Sequence, residues 1–137
     1  LYPLLNEWKG AGLGCVGTLE NEMDEKSFLG LCKKTFSPCC LRHTALKGSP
    51  VKRVALCGGA GFQLFRDAMA AGADAFVTGD VKYHQFAEAA GRLLLIDAGH
   101  YETEKHSTEI IYELLIKKFP NFALRFSETI TNPINCY

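Results

Sequence analysis

Apolar positions along this chain follow two alternating rhythms. Short apolar-rich runs at 51–57 (VKRVALC), 73–78 (ADAFVT) and 93–98 (LLLIDA) have the length and density of buried strands. Between them apolar residues recur every three or four positions, the signature of one helical face. Phe62, Phe65, Ala68 and Met69 form one such stripe, 81–91 a second, and Ile110, Ile111, Leu114 and Leu115 a third within 102–119. Pro120 ends that last helix, and 121–126 can form a final strand. Upstream, 12–19 (GLGCVGTL) reads as a glycine-rich strand and 39–44 as a short one. Asp24 is a favourable N-cap for a helix running to Phe36, with Phe28, Leu29, Leu31 and Cys32 on its apolar face. Strands alternating with amphipathic helices predict βαβ crossovers: an α/β fold with a mostly parallel sheet and helices on both faces. Residues 12–137 form one α/β domain on this reading. Residues 1–11, with Tyr2 and Trp8, form a tail.

Composition narrows the function classes. The chain has 137 residues, enough for one domain with a real core. Fifteen basic residues balance fifteen acidic ones. Zero net charge argues against a non-specific nucleic-acid binder and against a polybasic membrane-surface protein. No apolar run approaches the roughly 18–20 residues that span a bilayer. The six cysteines, at 15, 32, 39, 40, 57 and 136, contain no CxxC pair, and a domain of this size does not need covalent staples. Reduced thiols and a cytoplasmic setting are expected.

The chemistry is expected at the carboxyl ends of the parallel strands. Three strand ends carry glycine: Gly58-Gly59-Ala60-Gly61, Thr78-Gly79-Asp80 and Asp97-Ala98-Gly99-His100. Asp80 and His84 follow the second, His100 and Glu104 the third, so these four side chains should converge on one edge of the sheet. Gly58, Gly59 and Gly61 can present backbone N–H groups as a phosphate cradle, or can serve a tight, closely packed turn. His100 and Glu104, four apart at a helix start, share one face. They can grip a divalent cation, or can form a surface hydrogen bond. Asp80 can act at the metal, orient a ligand, or cap the next helix; His84 can carry a proton or orient a ligand. His43 and His106 receive no role.

Taken together, GLGCVGTL (12–19), VALCGGAG (54–61), FVTGDVKYHQF (76–86), LIDAGHYETE (95–104) and TNPI (131–134) resemble the C-terminal part of the Nif-three-like proteins, often named GTP cyclohydrolase I type 2 homologues. The TGD…H and GH-Y-x-T-E blocks are the most specific elements, and Cys15 departs from the basic or bulky residue many members carry. The resemblance implies one half of a Nif-three-like fold and a dinuclear divalent-metal centre, two ions per complete protein, with zinc, iron, manganese and magnesium all open. It makes His100 and Glu104 ligands. The missing N-terminal half would supply the others, a histidine pair and an aspartate. The opening LYPLLN resembles the end of a domain inserted in longer members, so a C-terminal fragment is expected. Complete members resemble ring-shaped homohexamers. The implied activity is metal-dependent hydrolysis of a small nucleotide or phosphate-containing substrate; the alternative is a non-catalytic, metal-binding regulatory or interaction module.

Overall fold

The structure is a computed structural model and describes every residue except Gly10, with the side chains of Glu7 and Trp8 also outside the description. Along the chain stand β1 (Tyr2–Trp8), β2 (Ala11–Met23), α1 (Glu25–Phe36), β3 (Arg42–His43), β4 (Val51–Ala60), a 3-10 turn (Phe62–Leu64), α2 (Phe65–Ala70), β5 (Ala75–Gly79), α3 (Tyr83–Ala89), β6 (Leu94–Asp97), α4 (His100–Glu104) and α5 (Ser107–Lys118). Asp24 caps α1 as its sequence predicts, its carboxylate accepting from the Ser27 N–H at 3.0 Å and the Ser27 hydroxyl at 2.6 Å.

The strands make one six-stranded sheet in the order β1-β2-β4-β5-β6-β3. Among the described residues only β4–β5 and β5–β6 pair in parallel; β1–β2, β2–β4 and β3–β6 are antiparallel. The expectation of a mostly parallel sheet is therefore corrected to a mixed one. The βαβ rhythm begins only at residue 51. The strands before it join as a hairpin and as edge partners, and apolar patterning carries no information on their direction. The expected tail is also corrected: residues 2–8 are the edge strand β1, paired with β2, while the Trp8 side chain lies outside the description.

Alternate residues of the central strands feed two cores. Ala55, Cys57, Phe76, Leu93 and Leu95 pack with Leu64, Phe65 and Ala68 at α2 and Ala89 of α3. Ala75, Val77, Leu94 and Ile96 pack on the other face with Phe28 and Cys32 of α1. Burying a large apolar side chain contributes about 1.5–3 kcal/mol, so β5 and β6, buried along their whole length, anchor the fold. Thr44 adds a link at the far edge. Its hydroxyl accepts from Leu95 N–H at 3.0 Å and donates to the Leu93 carbonyl at 3.3 Å.

Three further expectations change. The long helix over 102–119 is two helices, α4 starting at His100 and α5 at Ser107, and no residue of α5 is buried. The strand expected at 121–126 does not form: these residues pair with neither edge strand of the sheet. The cysteines are not all reduced: Cys39 and Cys136 form a disulfide with Cα atoms 6.1 Å apart, while Cys15, Cys32, Cys40 and Cys57 are free. The final segment returns to the loop after α1, a long-range contact that cysteine spacing does not reveal.

Candidate metal centre

The ends of β4, β5 and β6 meet above the sheet, and close backbone approach sets their spacing. A Cβ at Gly79 would stand 2.9 Å from the backbone of Gly99 and His100, so only glycine lets α4 start directly over the end of β5. Gly59 has φ +60°, and a Cβ there would collide with the Glu104 carboxylate and lie 3.1 Å from His100 Nε2. The amide of Gly59 donates to Thr103 Oγ1 at 2.9 Å, and that of Gly61 to Thr78 Oγ1 at 2.9 Å. Gly58 lies against the Thr103 carbonyl. Two of the amides proposed for a phosphate cradle are thus already taken. The geometry gives the three glycines a packing role: Gly58 and Gly59 lie against α4, and a Cβ at Gly61 would collide with Cys57 and Thr78.

Asp97 locks the loops together. It is buried, and its carboxylate accepts from the Val81 and Gly99 N–H groups, each at 3.0 Å, and pairs with the Arg42 guanidinium. One side chain therefore fixes the loop carrying Asp80, the loop carrying His100, and β3. Sequence reasoning passed over it as part of a strand. The available signal was a carboxylate ending an apolar run immediately before Ala-Gly.

Three of the four expected side chains converge. His100 Nδ1 lies 2.6 Å from Asp80 Oδ2, and His100 Nε2 lies 3.2 Å from Glu104 Oε2. Asp80 reaches this position with a left-handed backbone, φ 53°, which aspartate tolerates better than most residues. It does not cap α3; the N-cap is Lys82. His84 is exposed on the first turn of α3 and does not line the clefts around His100. His43 turns away, its Nδ1 2.7 Å from the Thr44 carbonyl.

The two carboxylates around His100 favour a cation there. An ionised carboxylate only accepts hydrogen bonds, and a neutral imidazole has one donor and one acceptor nitrogen. Here both ring nitrogens face carboxylate oxygens. A protonated ring satisfies both carboxylates, and a positive ion between Nε2 and Glu104 would do so too. The first outcome is favoured in the metal-free ring: hydrogen bonding to Asp80 raises the His100 pKa above its ordinary value, slight desolvation opposes this, and the Glu104 charge adds to it. The donor set suits the second outcome too. Two ligands at about 2.0–2.2 Å from one ion sit close to 3 Å apart, as these do, and a carboxylate behind the other ring nitrogen is the usual partner of a ligating histidine. Among the described residues no group of three or more His, Cys, Asp or Glu side chains is arranged to hold an ion by itself.

A cleft of about 460 Å³ opens beside the trio, lined by Asp80, His100, Tyr101 and Glu104 together with Thr131 to Ile134. Asn132 Nδ2 donates to Glu102 Oε1 at 3.2 Å. The family model for Duf34/NIF3 (NGG1p interacting factor 3) matches residues 4–133. The chain belongs to the Duf34/NIF3 family. Among curated members it is 37% identical over 139 residues to the GTP cyclohydrolase 1 type 2 homolog of Bacillus subtilis, covering 97% of this chain and 37% of that protein. It is also 37% identical over 134 residues to the protein of the same name from Staphylococcus epidermidis, covering 94% of this chain and 36% of that one. A Bacillus cereus crystal structure described as related to NIF3 superposes with a TM-score of 0.77 at 28% identity, over 92% of this chain and 36% of that one. A Staphylococcus aureus crystal structure gives 0.80 at 27% identity, over 92% and 42%. The chain thus spans little more than a third of the two curated Duf34/NIF3 relatives. Among its described residues no helix is long and apolar enough to cross a membrane.

Proposed function

We propose that this chain is the C-terminal α/β domain of a dinuclear-metal protein that hydrolyses a small nucleotide or another phosphate-containing substrate. One observation carries the reading: His100 sits between two carboxylates with both nitrogens facing acceptors, a geometry that an ion between Nε2 and Glu104 would satisfy. His100 and Glu104 are the ligands. Asp80 holds the Nδ1 proton, which turns the Nε2 lone pair toward the ion. Asp80 thereby orients the ring, and His84 has no part in this arrangement. Divalent ions in such centres supply an activated hydroxide and stabilise developing negative charge. The adjoining cleft has the volume of a small-molecule site, and Tyr101 and Asn132 offer polar contacts along it. The relatives' name, GTP cyclohydrolase 1 type 2 homolog, supports a nucleotide as the first substrate class to test.

Two ligands are too few for tight binding, since catalytic sites usually draw three from protein. The others would come from the portion of the complete protein that lies outside this chain, and assembly as a homo-oligomer belongs to the same proposal. The test is metal stoichiometry after dialysis. The chain alone should retain little metal and the complete protein should retain it fully. In the complete protein His100→Ala and Glu104→Ala should each lose most of it, and His43→Ala none. Full retention in both ligand variants would remove the centre from these residues. Turnover of GTP, other nucleotides and phosphoesters by the metal-loaded protein separates the hydrolase from a second reading, a metal-binding module without turnover. That second reading draws its support from the position of His84 outside the cleft, which leaves no histidine base beside the trio.

A further inference from the structure

The segment after α5 is held to the domain by few bonds. Beyond Phe122 no backbone–backbone hydrogen bond ties it down among the described residues. Within 127–137 its polar tie to the body is the Asn132–Glu102 contact, and the other hydrogen bonds there are local. Yet this segment contributes four residues to the lining of the site. Thr131 to Ile134 line the 460 Å³ cleft together with Asp80, His100 and Glu104. Ile134 and Cys136 close a neighbouring cleft of about 180 Å³ that also reaches Asp80, Asp97 and His100. The covalent tie is the Cys39–Cys136 disulfide, which joins residues 97 apart in sequence.

We propose that the Cys39–Cys136 pair is a redox latch that holds residues 127–136 as a strap across the mouth of the His100 cleft. The inference rests on reading that cleft as the functional site. Both cysteines are exposed, so a small dithiol can reach the bond. Its thiolate attacks one sulfur and displaces the other cysteine as a thiolate, which takes up a proton. The second thiol of the reductant then resolves the mixed disulfide. The protein gains two thiols, and the dithiol leaves as its cyclic disulfide. After reduction one side-chain hydrogen bond and scattered apolar contacts remain to hold the strap, and it swings free. Cys32 and Cys57 are poor competitors for Cys136. Both are buried, and burial pushes the Cys32 thiol up to about 11 and raises that of Cys57. Cys40, adjacent and exposed, is the thiol that could compete, and it supplies the control.

The experiment compares the purified protein in air-oxidised form with the same protein in dithiothreitol, at one pH. Peptide mapping reads the Cys39–Cys136 linkage. Amide hydrogen exchange reads residues 129–135. Carbethoxylation by diethyl pyrocarbonate reads access to His100 without any metal. Reduction should abolish the linked peptide and speed both strap exchange and His100 modification by about threefold or more. Cys136→Ser should behave as the reduced form with or without dithiothreitol, and Cys40→Ser should respond as the parent does. Absence of a Cys39–Cys136 peptide from the oxidised protein overturns the latch. So does a linked protein whose exchange and His100 reactivity are unmoved by reduction. A protein that retains no metal in its complete form yet shows these changes keeps the latch and loses the metal reading, so the two are separable.

Discussion

His100 is a histidine with an acceptor at each nitrogen, and its titration should show it. In the metal-free protein its NMR midpoint should lie above the ordinary value of about 6.5, and Asp80→Asn should lower it, because the Asp80 hydrogen bond is the leading cause of the rise. That direction sets the sign for stability. A raised folded pKa means that protonated His100 stabilises the fold; that contribution is fully present below the unfolded value and is lost as pH rises through the folded value. Asp80→Asn should therefore flatten the pH dependence of the unfolding midpoint in that window, and an unchanged profile would show that the pair is not coupled. Asp97 makes a stronger claim on the fold itself. Asp97→Ala leaves the Val81 and Gly99 amides without their acceptor and removes the carboxylate partner of Arg42, which keeps the Val81 carbonyl, and should cost about 2–4 kcal/mol in urea unfolding. The sequence alone pointed to Asp80, His100 and Glu104, since parallel strands that end in glycine bring their succeeding loops to one edge. Asp97 stayed hidden because its donors are largely backbone groups, which no side-chain pattern records.

At the scale of elements, the dense apolar runs at 51–57, 73–78 and 93–98 lie within β4, β5 and β6 to within a few residues, because β5 and β6 are buried on both faces and β4 is buried on one and half-buried on the other. β3 shrank to two residues: Arg42 and His43 pair in register with β6, and Thr44 continues the contact through its amide and hydroxyl on Leu95. The long helix split at Lys105 and His106, where the Lys105 ammonium reaches back to the Phe36 carbonyl at 2.7 Å and anchors α4 separately from α5. Apolar periodicity registered α5 correctly as a helix but could not tell that its stripe would meet no core. Ile110 and Leu114 remain 61% and 60% exposed. The two kinds of apolar position should respond differently to truncation. Leu95→Ala, wholly buried on β6, should cost about 2–5 kcal/mol, whereas Leu114→Ala should cost well under about 1 kcal/mol by the same denaturation measurement. Equal losses would mean that α5 is buried in solution.

Across the whole molecule, parallel pairing is confined to the three strands that carry the site, and antiparallel strands close the sheet on either side. Native-state hydrogen exchange should track that order, slowest in β4 and β5 at the centre and fastest in β1 and β3 at the edges. Protection of β1 equal to that of β5 would contradict it. The position of β3 also has a consequence for how the chain is made. Residues 42–44 leave the ribosome well before 93–97, the only stretch of the described sheet they bind. At about 5–20 residues per second that interval is roughly 3–10 s. For that time Phe28 and Cys32 of α1 lack most of the surface they lie on, since their partners on β5 and β6 are unmade or only just appearing. Nascent chains halted before β6 emerges should thus be cut readily within α1 by added protease and should present it to chaperones, and those halted after β6 has emerged should resist.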